Sequence, residues 1–380
     1  MLDLARQYAP IREEIMAALA EVVDTRQFIL GAPVANFERA AAAHLGVAEA
    51  MGCASGTDAL WLALAAAGIG SGDAVVTTPF SFFASVSSIV RAGATPVLAD
   101  IDPVTFNLDP ASVQAVLDKP QPMAIKALLP VHLYGQCVPW PEFATLGEKY
   151  GLKLIEDAAQ AWGASWNGSP AGGLGDIAAF SFYPTKNLNA AGDAGLVTTN
   201  NPELAERVRM LRQHGMRQRY HHDELGWNAR MDGFQGAVLS VHLRYERRRT
   251  AERREAAQRY HQLFAKSGLA ESGIYPEKGV ILPKEIPGSH HVWHQYVIRA
   301  SRRDALRDHL TGQKIGSEIY YPVPLHQQKA LAFLGYQEGD FPEAERAAKE
   351  VLALPIFPEI RVDEQERVVA VIAEFLEFSA

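Results

Sequence analysis

The chain has 380 residues, 48% hydrophobic and 21% charged, which suits a globular protein with one large core or two closely packed units. No apolar run approaches the roughly 18 residues of a membrane span, and the start Met1-Leu2-Asp3-Leu4-Ala5-Arg6 lacks a basic-then-apolar leader, so no membrane partner is expected. A formal net charge of -8 argues against a nucleic-acid partner, and two cysteines, Cys53 and Cys137, make no disulfide framework, so a reduced cytoplasm is the expected compartment.

In chain order, Asp58 to Ala67 is apolar at helical spacing and Ala74 to Thr78 reads as a strand. A helix follows over Ser81 to Arg91, then a strand from Thr95 to Asp100, a helix from Pro110 to Leu117 and a strand from Ala124 to Val131. Pro141 to Tyr150 predicts a helix, Leu152 to Asp157 a strand, and Leu196 to Thr199 another. Strands separated by helices of this length predict βαβ units around a mostly parallel sheet, an α/β fold. Past residue 235 the pattern changes: a long helical stretch over Phe234 to Leu263, a strand at His294 to Ile298, a helix at Arg303 to Leu310, then proline-punctuated chain. The expected division is a large α/β domain over 1–240, its N-terminal segment able to pack on the rest, and a smaller α+β domain over 241–380. Arg244, Arg247, Arg248, Arg249, Arg253 and Arg254 alternate with Glu246, Glu252 and Glu255, the pattern of a solvated helix face.

Parallel sheets bind ligands outside the carboxyl ends of their strands, and four segments fall there. Ser55-Gly56-Thr57-Asp58 opens a helix, where small residues and free N–H groups suit a phosphate, although the same residues make an ordinary N-cap. Asp157 ends a strand, where a carboxylate can pair with a cofactor's pyridine nitrogen and keep the ring an electron sink, although taken alone it reads more readily as a helix cap; Gln160 follows three residues on, in reach of a ring hydroxyl if the chain has begun to turn helical. Lys186 stands in the aromatic, small-residue loop Phe180-Ser181-Phe182-Tyr183-Pro184-Thr185-Lys186-Asn187-Leu188, where burial would lower its pKa as a Schiff-base lysine requires, and Ser181 is placed to bond a phosphate. Gly192-Asp193-Ala194-Gly195 is a tight turn, as readily structural as part of a site. Jointly, phosphate cup, strand-end acid and loop lysine specify a site for pyridoxal 5'-phosphate (PLP). His290, His291 and His294 sit at a strand entry without a supporting carboxylate or cysteine, and no metal is expected. His132 and Tyr134 suit either the cleft or the core, and Trp61, Trp140 and Trp162 read as core residues.

Ser55 to Leu60, Pro130 to Gly135, Glu156 to Ala161, Ser181 to Leu188 and Gly226 to Asp232 together resemble the nucleotide-sugar aminotransferases, the DegT–DnrJ–StrS group of fold type I PLP enzymes, from about residue 2 to Pro358. The resemblance implies that Lys186 holds PLP as a Schiff base and moves the proton, with Asp157 on the pyridine nitrogen and Gln160 on the ring oxygen. Gly56, Thr57 and Ser181 match phosphate-binding positions, and Phe82 matches the aromatic that stacks on the cofactor. Asn228 matches a residue reaching the phosphate from a neighbouring subunit, which implies a homodimer with shared sites. Arg230, Tyr183, Tyr320, Tyr321 and His326 fall on the substrate side. The implied reaction moves an amino group from L-glutamate, leaving 2-oxoglutarate, to a nucleotide-linked keto sugar. The segment Gly226 to Asp232, with Tyr220-His221-His222 before it, resembles members acting on 3-keto rather than 4-keto sugars. Two departures fall near the sugar side: Tyr320-Tyr321-Pro322-Val323-Pro324 stands where His-Tyr-Pro-x-Pro is common, and Asn189-Ala190-Ala191-Gly192 where a glycine usually follows the leucine. The competing expectations are a PLP-dependent sugar dehydratase, some of which replace the lysine by histidine, and a non-enzymatic regulatory protein on the same scaffold.

Overall fold

A computed structural model describes residues 2–120 and 122–377. Seven strands form the central sheet: β1 (Glu49–Cys53), β2 (Asp73–Thr77), β3 (Thr95–Leu98), β4 (Ala124–Leu128), β5 (Lys153–Asp157), β6 (Ile177–Ser181) and β7 (Gly195–Thr199). Their order is β1-β7-β6-β5-β4-β2-β3, with β7 antiparallel to both neighbours and every other pairing parallel. Val75 and Val76 on β2 and Ile155 on β5 are fully buried, as strands covered on both faces require.

Helices α1 (Leu4–Tyr8), α2 (Arg12–Thr25) and α3 (Gly31–Leu45) precede the sheet, α4 (Gly56–Ala66), α5 (Ala84–Arg91), α6 (Pro110–Leu117) and α7 (Trp140–Tyr150) connect its strands, and α8 (Pro202–Leu211) follows the last of them. The expected helix from Ser81 begins only at Ala84, because Ser81, Phe82 and Phe83 form the turn that leads into it. The helical stretch expected over Phe234 to Leu263 is two helices, α9 (Gly233–Leu243) and α10 (Glu246–Ser267). Tyr245 sits at the break, its hydroxyl drawn to Glu14 on α2.

A second, antiparallel sheet of β8 (Val280–Ile281), β9 (Tyr296–Ala300) and β10 (Val351–Leu354) follows, accompanied by α11 (Arg303–Gly312), α12 (Pro342–Glu350) and α13 (Val362–Glu377). The N-terminal segment packs onto this later part, where Arg6 holds Glu364 through two hydrogen bonds of 2.8 and 2.7 Å. The basic cluster on α10 is only half the solvated face expected. Arg247 and Arg248 are exposed, but Arg249 and Arg253 are buried and end on main-chain carbonyls: Arg249 donates to Gln7 O at 2.9 Å, Arg253 to Ile356 O at 3.1 Å and Trp293 O at 3.3 Å. A guanidinium's fan of donors lets it satisfy several carbonyls at once, so it can be buried where a lysine could not. Trp61, Trp140 and Trp162 are buried, as expected. Among the described residues, no helix is long and apolar enough to cross a membrane and no three His, Cys, Asp or Glu side chains group as metal ligands.

Candidate active site

The carboxyl ends of β1, β5 and β6 lie side by side in the sheet order with only β7 between β1 and β6, so the loops after Cys53, Asp157 and Ser181 converge. They open on a cavity of about 720 Å³, within the size range of small-molecule sites. Of the expected residues, Gly56, Thr57, Phe82, Asp157, Gln160, Ser181, Tyr183, Lys186, Tyr320 and Tyr321 all line it.

The floor begins at α4. Ser55 caps the helix by accepting from Asp58 N at 3.1 Å, which leaves the N–H groups of Gly56 and Thr57 without a partner among the described residues. Such N–H groups, at the positive end of the helix dipole, favour an anion. Two glycines are needed for this approach. A Cβ on Gly56 would lie 2.5 Å from Ser181 Cβ, and one on Gly195, where β7 begins, would lie 2.3 Å from Ser55 O.

Asp157 is 3% exposed. Its Oδ2 accepts from Ser85 Oγ at 2.7 Å and its Oδ1 from Ala159 N at 3.2 Å. Burial pushes its carboxyl above the ordinary value; the Ser85 and Ala159 hydrogen bonds and the nearby Lys186 and His132 hold it down. Lys186 is partly buried at the cleft wall and makes no side-chain hydrogen bond or ion pair among the described residues. Burial lowers its ammonium to about 8, against the opposing pull of Asp157. An amine so placed is nucleophilic near neutral pH.

Gln160 is fixed from two sides: Oε1 accepts from Tyr134 N at 2.6 Å, and Nε2 donates to Tyr321 OH at 3.1 Å. Tyr134 is itself buried, and its hydroxyl reaches Tyr320 O. His132 is buried against Glu156, Nε2 to Oε2 at 3.0 Å; neither Tyr134 nor His132 lines the cavity. Phe82 is 59% and Tyr183 54% exposed, two aromatic rings offered to the opening.

Three expected residues stand elsewhere. His326 is buried, with Nε2 2.9 Å from Glu345 Oε1 and its ring edge-on to Phe341. It braces the turn before α12 and does not line the cavity, although Leu325 beside it is tied to the cavity rim through Pro79 O at 2.7 Å. Asn228 is exposed and Arg230 half-buried; Arg230 Nε donates to Asn228 Oδ1 at 3.1 Å, and neither lines the cavity of its own chain.

The cavity also holds Asp193, from the turn read as either structural or part of the site, and Ser85, His294, Gln295 and Glu318, for which no site role was expected. His294 stood at the strand entry where no metal was expected. It is held by Asn187 Oδ1, 3.2 Å from Nδ1, while Asn187 Nδ2 donates to Val292 O at 3.0 Å. Because Asn187 spends its N–H on the carbonyl, its oxygen must accept and His294 Nδ1 must carry the proton. Burial, with the charge on Lys186, holds this imidazole well below its usual titration range, so Nε2 is a bare acceptor. Ser85 lies one helical turn from Ser81, a spacing visible in the sequence but uninformative until the turn at 81–83 is known.

The description "DegT/DnrJ/EryC1/StrS aminotransferase family" matches over residues 9–373. The chain belongs to this family. A relative from Geobacillus stearothermophilus, named a pleiotropic regulatory protein, is 48% identical over 375 residues, covering 99% of this chain and 98% of the relative. A relative from Acidithiobacillus ferrooxidans, named a UDP-N-acetyl-3-dehydro-alpha-D-glucosamine 3-aminotransferase, is 41% identical over 380 residues, covering 99% of this chain and 97% of the relative. The crystal structure of S. venezuelae DesV in complex with a ketimine intermediate is similar with a TM-score of 0.92 at 40% identity, over 99% of this chain and 97% of that one. The present aminotransferase thus shares nearly its whole length with these proteins and its α/β architecture with DesV.

Proposed function

We propose that this aminotransferase moves an amino group from L-glutamate to a keto group at the 3-position of a nucleotide-linked hexose, with PLP seated in the Lys186 cavity. One observation carries the reading: the cavity joins an amine of lowered basicity, a buried carboxylate and the free N–H groups of a helix start. These suit the aldehyde, the pyridine nitrogen and the phosphate of one molecule. Bound there, PLP supplies an electron sink for the charge left when a carbon gives up its proton.

The chain's own residues do the rest. Gly56 N, Thr57 N and Ser181 Oγ bind the phosphate, and Phe82 offers its ring for stacking. Asp157, at the carboxyl end of β5, would keep a proton on the ring nitrogen by pairing its carboxylate with that N–H. Gln160, with Oε1 committed to Tyr134 N, has only Nε2 hydrogens to give the ring oxygen. Lys186 Nζ, near 8, can take a proton and return it at neutral pH without a large bias either way. Tyr183, Tyr320 and Tyr321 wall the sugar side. Asn228 and Arg230, which do not line their own cavity, serve that of a second copy, so the working form is a homodimer. The 3-position is favoured by the Acidithiobacillus relative's name and by the Gly226 to Asp232 segment.

The Geobacillus relative's name favours a second reading, a regulatory protein. Adding glutamate to the PLP-loaded protein without sugar separates the two. A transaminase shifts its visible band to the shorter wavelength of the amine form and releases 2-oxoglutarate. A regulatory protein, or a dehydratase that uses no amino donor, leaves the band in place. A UDP- or dTDP-linked 3-keto sugar added next should restore the band, and a 4-keto sugar should not.

A further inference from the structure

Asp157 lies out of water, where the neutral form of a carboxyl is favoured, yet the site as read requires an anion. Lys186 makes no ion pair with it within 4.0 Å. The compensation is local. Ser85, the second residue of α5, donates to Oδ2 at 2.7 Å, and Ser85 Oγ is also 2.8 Å from Ser81 Oγ. A hydroxyl has a single proton to donate. Ser85 gives its proton to a carboxylate that has none to return, so Ser81 must be the donor between the two serines. The result is a directed chain, Ser81 to Ser85 to Asp157, in which each bond polarises the next. Both serines line the cavity, yet Ser81 is 4% and Ser85 1% exposed, so bulk water does not compete for these bonds.

We propose that Ser85, backed by Ser81, is the positioning residue that holds the Asp157 carboxylate in place for the pyridine N–H. The inference rests on the PLP reading above. The late start of α5 is what permits it: the turn at Ser81 to Phe83 brings both hydroxyls to one side while Phe82 projects into the opening. The other ionisable groups around Asp157 are Lys186 from the loop after β6, His132 from the loop after β4 and Tyr321 from the chain before α12. None of them hydrogen-bonds either carboxylate oxygen, and the serine chain is the only side-chain contact that does so among the described residues.

The test compares wild type, Ser85→Ala, Ser85→Thr and Ser81→Ala. It reads the PLP dissociation constant, the pH titration of the visible band in the loaded protein, and thermal unfolding of the cofactor-free protein. Ser85→Ala should bind PLP between roughly tenfold and a hundredfold more weakly, the range for losing a hydrogen bond to a charged group. Its band should also change at higher pH, because a less stable anion holds the ring proton less well, and a ring with less positive charge lets the Schiff-base nitrogen keep its own proton longer. Ser81→Ala should shift both in the same direction by less, and Ser85→Thr should restore both. Wild-type affinity and titration in Ser85→Ala and in Ser81→Ala would overturn the inference and leave the PLP reading standing. So would weaker binding with an unchanged titration and a matching loss of thermal stability. A wild-type protein that takes up no PLP would overturn both.

Discussion

At the scale of single residues, the site depends on groups held away from their solution behaviour. Lys186 in the folded protein titrates near 8 rather than 10.5 because burial disfavours its charge. The unfolded chain therefore binds more protons between those values, and this lysine makes the cofactor-free protein gain stability as pH rises through them. The same displacement sets reactivity: condensation of the cofactor-free protein with PLP, followed by stopped-flow absorbance, should accelerate as pH rises through about 8 and then level. Asp157 is displaced in the opposite sense, upward by burial, so Asp157→Asn should leave the fold intact while removing the partner of the ring nitrogen. Gly56 faces a different constraint, since a methyl there meets Ser181 Cβ at 2.5 Å. Gly56→Ala should weaken PLP binding roughly tenfold to a hundredfold, the equivalent of a modest overpacking penalty, with direct titration as the check.

Elements carry these residues to one place, and their packing sets how much change they tolerate. Helix α9 lies so close to α3 that a Cβ on Gly236 would come within 2.9 Å of Val34 Cα and 3.0 Å of the Pro33 carbonyl carbon. Gly236→Ala should cost about 1–3 kcal/mol and lower the thermal midpoint, because backbone at a helix contact cannot yield as a side chain can. This close contact was not visible in the sequence, because Gly236 and Val34 lie about two hundred residues apart and only folding brings α9 onto α3. The βαβ run from α4 to β5 was legible because its strands are continuous apolar runs bounded by turn residues. The break between α9 and α10 was not, since Arg244 and Tyr245 include neither glycine nor proline, and the partner that Tyr245 finds there, Glu14, is more than two hundred residues away. In the site the same division holds. Lys186, Asp157 and the Ser55-Gly56-Thr57 cup were legible because their residue types are rare in combination at strand ends. Ser85 and His294 were not, because their roles come from partners, Asp157 and Asn187, that only folding brings near. The burial of His326 was not legible for the same reason: nothing in its own segment reveals Glu345 as its partner.

For the whole molecule, the account requires two copies. Asn228 and Arg230 turn away from their own cavity, and the segment before them exposes Tyr220, Leu225 and Trp227, with Leu225 93% exposed. Lys186→Ala and Asn228→Ala proteins should each be inactive or nearly so. Dissociated and reassociated together, they should recover about a quarter of wild-type activity, since half the dimers would be mixed and each would hold one intact site. No recovery would place Asn228 in the cavity of its own chain, and an Asn228→Ala protein that is fully active alone would place it outside any site. The central claim, that Lys186 carries the cofactor, is tested most directly by borohydride reduction of the PLP-loaded protein followed by peptide mapping. The account predicts one cofactor per chain, fixed on the peptide containing Lys186, and none fixed on Lys186→Ala. Label on another lysine, or a Lys186→Ala protein that still transfers the amino group, would contradict it.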